Sequence, residues 1–242
     1  MTLVRFRTAL ATGLIAALAA AGTSPAQEVR EERLAGTRGV ELAVRMEGPY
    51  TADVPLQVVC YFKHRPEGDV TKGAAIELDE RLGGVVAALR DRGEFAGEPL
   101  ETVLLTPPAG SIKARRLLLI GLGDEASLTV GRMEAVGRVA LREAARLGVD
   151  RAAFAPLLRD QGDDRLAVGE VERAVVGGVL SAYETEKRLQ EQGLAPAWDL
   201  ERWQVEAGPA FFDETVVGVR RAIDEVKAAV ASRDARPYRK AD

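Results

Sequence analysis

The feature that most limits the fold of this chain is the stretch spanning residues 100–123, LETVLLTPPAGSIKARRLLLIGLG. Two short apolar runs, 103–105 and 117–120, flank a Pro-Pro-Ala-Gly turn, and the second ends in Gly121-Leu122-Gly123. Short apolar runs bounded by turn residues are strands. The rest of the chain must pack on this pair, and its periodicity alternates between strand and helix. Residues 39–47 set Val40, Leu42 and Val44 against Glu41 and Arg45, a strand with one solvated face. Residues 54–62 are almost continuously apolar and predict a buried strand. Residues 76–92 repeat Leu78, Leu82, Val85, Val86 and Leu89 at helical steps. Gly83 and Gly84 fall inside that pattern, where each costs about 1 kcal/mol against Ala. Such a pair is kept for a close backbone approach, to the sheet or to a ligand.

Downstream, Ser127 or Thr129 caps a helix that Gly148 ends, and 150–158 is a strand. Residues 162–164 form a turn, 167–189 a long helix and 202–206 a short strand. The last helix, 210–232, carries Phe212, Val216, Val219, Ile223, Val226 and Val230 at alternating four- and three-residue steps. Four of the six are Val, which suits a flat contact with the chain's own sheet and a monomeric protein. Strands alternating with helices imply an α/β fold with a mixed, largely parallel sheet and helices on both faces.

The first residues read as an address. Arg5 and Arg7 precede a short apolar run over 10–21, and Ser24-Pro25-Ala26 supplies small residues for cleavage. This predicts a signal peptide over 1–26 and a periplasmic or secreted protein. The run is short for a hydrocarbon layer of about 30 Å, so no membrane contact is expected after cleavage. A linker over 27–38, one domain over 39–233 and a polar tail over 234–242 complete the organisation. The processed chain has 31 basic against 37 acidic side chains, a charge of −6. That gives no cationic field for nucleic acid or anionic lipid. The single cysteine, Cys60, lies in a strand and reads as a buried thiol. The single histidine, His64, sits between Lys63 and Arg65 and reads as a solvated loop residue without a metal-binding companion.

Several motifs in order suggest a family. Asp79 precedes Gly83-Gly84, then follow Gly93-Glu94-Phe95-Ala96-Gly97, Glu101-Thr102, Leu104-Leu105 and Ile120-Gly121-Leu122-Gly123. Arg132, Gly137 and an Ala-rich helix come next, then Tyr183-Glu184 with Lys187. The series resembles the amino-terminal domain of the leucyl aminopeptidases over roughly residues 39–232. The resemblance implies a three-layer α/β/α sandwich, macro-domain-like. In that family the chemistry lies in a carboxy-terminal domain, where a Lys, several acids and an Asn-Thr-Asp-Ala-Glu-Gly-Arg-Leu segment hold two metals. No such segment occurs in this sequence, so none of those ligands transfers to a residue here. No catalytic residue, metal ligand or cofactor is therefore assigned.

The remaining site candidate is the Gly121–Gly123 turn with Asp124 and the helix beyond it, together with Gly83 and Gly84. A strand, a glycine turn and a helix start present amides to an anion, which suits a phosphate or nucleotide-like ligand. A single Gly-x-Gly equally serves a turn that only needs to bend. Asp163-Asp164 reads as a turn and Asp124-Glu125 as a helix approach, neither as a catalytic pair. The expected function is that of an exported, non-catalytic binding or regulatory domain with a protein partner. The alternatives are a binder of a small anionic ligand or a macro-domain-type enzyme, both at the glycine turn.

Overall fold

The alternating elements assemble one seven-stranded sheet clad on both faces by helices, in a computed structural model that describes residues 29–238. The predicted signal peptide and the end of the polar tail lie outside the described residues. The strands are β1 (Glu31–Ala35), β2 (Glu41–Arg45), β3 (Leu56–Tyr61), β4 (Thr102–Leu105), β5 (Leu117–Gly121), β6 (Arg151–Ala155) and β7 (Arg202–Glu206). The helices are α1 (Gly73–Arg81), α2 (Val85–Asp91), α3 (Val130–Leu147), α4 (Val168–Glu191) and α5 (Phe212–Ala231). Sheet order is β1-β2-β7-β6-β3-β5-β4. Five strands from β2 to β5 run parallel, and β1 and β4 pair antiparallel at the two edges.

The pleat divides the core in two. Leu42, Val58, Ile120, Phe154 and Trp203 face α3, α4 and α5. Val59, Tyr61, Leu119 and Ala153 face α1 and α2 on the other side. Over β2 and β7 that second face turns polar, with Arg45, Gln204 and Glu206 in place of aliphatics. Helix α4 lies between α3 and α5, and the backbones come close. A Cβ on Gly178 would sit 2.1 Å from the Glu134 carbonyl oxygen, and one on Gly137 would sit 2.1 Å from that of Val175. Thr129 caps α3 through its side chain, and Gly148 ends it in the left-handed region. Among the described residues no helix is long and apolar enough to cross a membrane.

Four details differ from expectation. The segment read as a linker contains β1, whose five residues all pair with β2; its charges mark a solvated edge strand rather than free chain. The strand pair of residues 100–123 lies at a sheet edge, not its centre, because β4 has only β5 as a neighbour. The helix expected over 76–92 is two helices: Gly83 and Gly84 take φ of +72° and +80°, which breaks it. The Asp79 carboxylate then caps α2 by accepting from the amides of Val86 and Ala87. The seam of α5 is buried within the domain, but against α4 and β2 rather than flat on the sheet.

Candidate ligand cleft at the carboxyl edge of the sheet

Parallel strands deliver all their carboxyl ends to one edge, where α/β folds bind ligands. Two parts of that edge carry the candidate residues. At the end of β5, the turn predicted as a site is closed by the protein itself. Its amides are committed: Gly121 donates to the Glu101 carbonyl, Leu122 to Tyr61 and Gly123 to Gly97, each at 2.8 Å. A Cβ at Gly121 would meet the Glu98 carbonyl oxygen at 2.0 Å, and one at Gly123 would meet the Pro99 ring at 2.8 Å. The Gly93–Gly97 motif and the residues after it thus fill the place where an anion was expected. Asp124 is exposed, and its carbonyl accepts from Ser127. Gly83 and Gly84 belong to the α1–α2 break, with open space beside both.

At the ends of β2, β6 and β7 the edge is open. A cleft of about 520 Å³ lies over these strands, between the amino ends of α4 and α5 and the chain following β2. None of Gly83, Gly84, Gly121, Gly123 and Asp124 lines it. Its walls are mainly apolar, among them Met46, Leu157, Leu158, Leu166, Val171 and Phe211. The loop after β6 is held by Gln161, a buried side chain that sequence reasoning did not single out. Its Oε1 accepts from the Phe62 amide at 2.9 Å, and its Nε2 donates to the carbonyls of Cys60 at 2.9 Å and Leu157 at 3.1 Å. Leu157 itself takes φ +55°. A left-handed leucine costs about 1 kcal/mol or more, and such strain persists only where the surroundings fix it.

The polar lining is acidic. Glu172, on the second turn of α4, is 1% exposed, and its Oε2 has no hydrogen-bond partner among the described residues. Burial pushes its carboxyl up to about 8. Glu206 ends β7; its Oε2 accepts from Gln57 Nε2 at 3.2 Å and its Oε1 has no partner. Burial, then the charge of Glu47, raises Glu206 well above the usual carboxylate range. Glu47 is itself paired, accepting from Gln204 Nε2 at 2.6 Å and lying 2.7 Å from Arg45 Nε. Thr215, on the first turn of α5, buries a hydroxyl without a partner. The signal for Glu172 was present in the sequence. It occupies the inward stripe of Val168, Val175 and Val179, where a carboxylate has no place in an ordinary core.

The other acids and bases singled out earlier are structural. Asp163 is buried and bound by the amide and guanidinium of Arg165, with Oδ1 2.9 Å from the amide nitrogen. His64 is not free in solvent: its Nδ1 lies 3.1 Å from Asp69, which also accepts from the buried Arg90 at 2.6 Å. Tyr183 and Lys187 both reach Asp199, at 3.4 and 2.7 Å, and fasten α4 to the loop before β7. Cys60 is a buried free thiol, raised by the same desolvation. Among the described residues no group of three or more His, Cys, Asp or Glu side chains is placed to hold a metal ion.

Comparison with known proteins agrees with this architecture. A macrodomain of Oceanobacillus iheyensis, in a structure with ADP, superimposes with a TM-score of 0.59 at 10% identity, covering 81% of this chain and 98% of that one. A mutant of tomato leucine aminopeptidase gives 0.57 at 18% identity, covering 79% of this chain and 36% of that one. At such identities the likeness is one of fold. In sequence, a probable cytosol aminopeptidase of Roseiflexus castenholzii is 34% identical over 100 residues, 41% of this chain and 20% of the relative. One from Geotalea uraniireducens is 32% identical over 126 residues, 52% of this chain and 24% of the relative. The chain therefore spans only about a fifth to a quarter of the curated relatives it matches. The family model described as "Cytosol aminopeptidase family, N-terminal domain" matches residues 58–191, more than half of the chain, and the protein belongs to that family through this domain.

Proposed function

We propose that this is a binding domain whose ligand occupies the cleft over β2, β6 and β7, and that it acts without peptidase chemistry of its own. The observation that carries this reading is the contrast in satisfaction along one sheet edge. The glycine turn has its amides paired, whereas the cleft keeps buried polar atoms without partners beside apolar walls. A concave, mostly apolar space with a few convergent polar groups is the usual form of a small-molecule site. A macrodomain of similar fold was solved with ADP, which supports a ligand-binding role for this architecture. The amino-terminal apolar run with Ser24-Pro25-Ala26 supports export.

The test is a chemical-shift screen of a small-molecule panel against the whole protein and a Gly208→Trp variant. Gly208 is exposed and lines the cleft, and its Cβ position is 3.7 Å from Phe211, so a large side chain there fills the space without backbone strain. Hits that perturb Met46, Leu157 and Val171 in the wild type and vanish in the variant are expected. Hits confined to Gly121–Asp124 would overturn the reading. The same protein with added manganese or zinc is expected to release no leucine from a leucyl amide. Mass spectrometry of the protein from its host is expected to find Gln27 as the first residue.

A further inference from the structure

We propose that the cleft selects a small organic cation, an ammonium group on an apolar body, with Glu172 and Glu206 as its counter-charges and Thr215 as a further acceptor. This rests on the cleft being the binding site, and it adds the chemical class of the ligand.

Among the described residues, three side chains with buried, unpartnered oxygen atoms line the same space. They are Glu172 through Oε2, Glu206 through Oε1 and Thr215 through Oγ1, and all are more than nine-tenths buried. A buried acceptor without a donor is costly and rare, so it marks a place where something else completes the bond. The charges point the same way. Among the described residues four acids line the cleft, Glu47, Asp160, Glu172 and Glu206, against one cation, Arg159. That guanidinium is already committed: it donates to the Asp163 carbonyl at 2.5 Å and the Leu166 carbonyl at 2.7 Å, and lies over the Phe211 ring. Among the described residues no lining cation is left for Glu172 or Glu206, so an anion would find no positive side chain to pair with in the cleft. The apolar walls suit a hydrocarbon body next to the charge.

Without a bound cation the two carboxyls hold protons instead, since burial raises both. An arriving ammonium replaces a proton: Glu172 releases H⁺ to solvent and its carboxylate accepts the ammonium N–H. Cation binding is therefore tighter at higher pH.

The experiment titrates the whole protein with n-butylammonium, n-butanol and ADP at pH 6 and pH 8, following shifts of cleft resonances. Butylammonium is expected to bind at least tenfold more tightly at pH 8 than at pH 6, with proton release seen as buffer-dependent heat. Glu172→Gln is expected to lose at least tenfold of that affinity, and Thr215→Val about threefold should the first variant not fold. Butanol binding as well as butylammonium would overturn the cation while leaving the cleft as the site. So would ADP displacing the ammonium and binding more tightly to Glu172→Gln. If no probe moves cleft resonances and Gly208→Trp titrates like the wild type, both the cation and the cleft reading fall.

Discussion

Two stretches of one sheet edge, built from the same kind of parallel strand end, have been finished in opposite ways. At the end of β5 the chain folds back and satisfies its own turn, amide by amide, with the Gly97–Glu101 segment and Tyr61 of β3. At the ends of β2, β6 and β7 it leaves about 520 Å³ open, with carboxylates and a hydroxyl lacking partners. Topology makes both places available to a ligand. Satisfaction of the polar groups that line each place separates them: the turn amides are paired, and the cleft side chains Glu172, Glu206 and Thr215 each keep an oxygen without a partner among the described residues. Gln161 joins the two halves, since it binds the ends of β3 and β6 at once.

The largest expected effect tests the unsatisfied half. Glu172 has its folded value raised to about 8, by burial, above an ordinary carboxylate near 4.5. The folded state then binds the proton more strongly than the unfolded chain. The stability this gives is complete below about pH 4.5 and is lost as pH rises through about 8. That amounts to roughly 3–5 kcal/mol. Glu206 shares the cleft, is raised by burial and is coupled to Glu172 by like charge, so it acts in the same direction. Urea unfolding from pH 5 to 8.5 should show the decline, and Glu172→Gln should flatten most of it. A wild-type profile that is flat over this range would contradict the buried, unpaired carboxylate.

The satisfied half breaks by crowding. Gly121→Val forces a side chain into the Glu98 carbonyl, 2.0 Å from the Cβ position. The backbone has to move, at about 3 kcal/mol or more. Denaturant midpoints measure this, and an unchanged midpoint would mean the 97–101 segment does not close the turn. Gln161→Ala comes next. It leaves the Phe62 amide and two carbonyls buried without partners and should cost about 2 kcal/mol. It should also loosen the Leu157 loop, seen as faster amide exchange along residues 156–162. The smallest effect belongs to Gly208→Leu, at an exposed position with room for a side chain. Stability should stay within about 0.5 kcal/mol of wild type, while ligands of the cleft lose their place.

Much of the frame was legible in the chain. Strands β2, β3, β5 and β7 and helices α3, α4 and α5 lie where alternation and three- and four-residue steps placed them, because those patterns report which side of an element is dry. The order of small motifs carried the family resemblance, which the family model over residues 58–191 and the fold neighbours uphold. Less legible was what a charged or glycine-rich stretch does. Glu31–Ala35 carries mostly charges and still forms a strand, since its pairing with β2 needs only backbone groups. Gly83 and Gly84 end α1 instead of sitting inside a helix, because positive φ outweighed the helical pattern around them.

The sequence by itself determined the α/β class, the three long helices α3, α4 and α5 and the burial of Cys60. These follow from local periodicity, which needs no knowledge of partners. Only the tertiary structure decided that Gly121 and Gly123 face their own chain. It also decided that Glu172, Glu206 and Thr215, far apart in sequence, share one cleft. Whether a polar group is satisfied depends on atoms brought from distant parts of the chain, as Glu98 is to Gly121, and that information exists only once the sheet order is fixed.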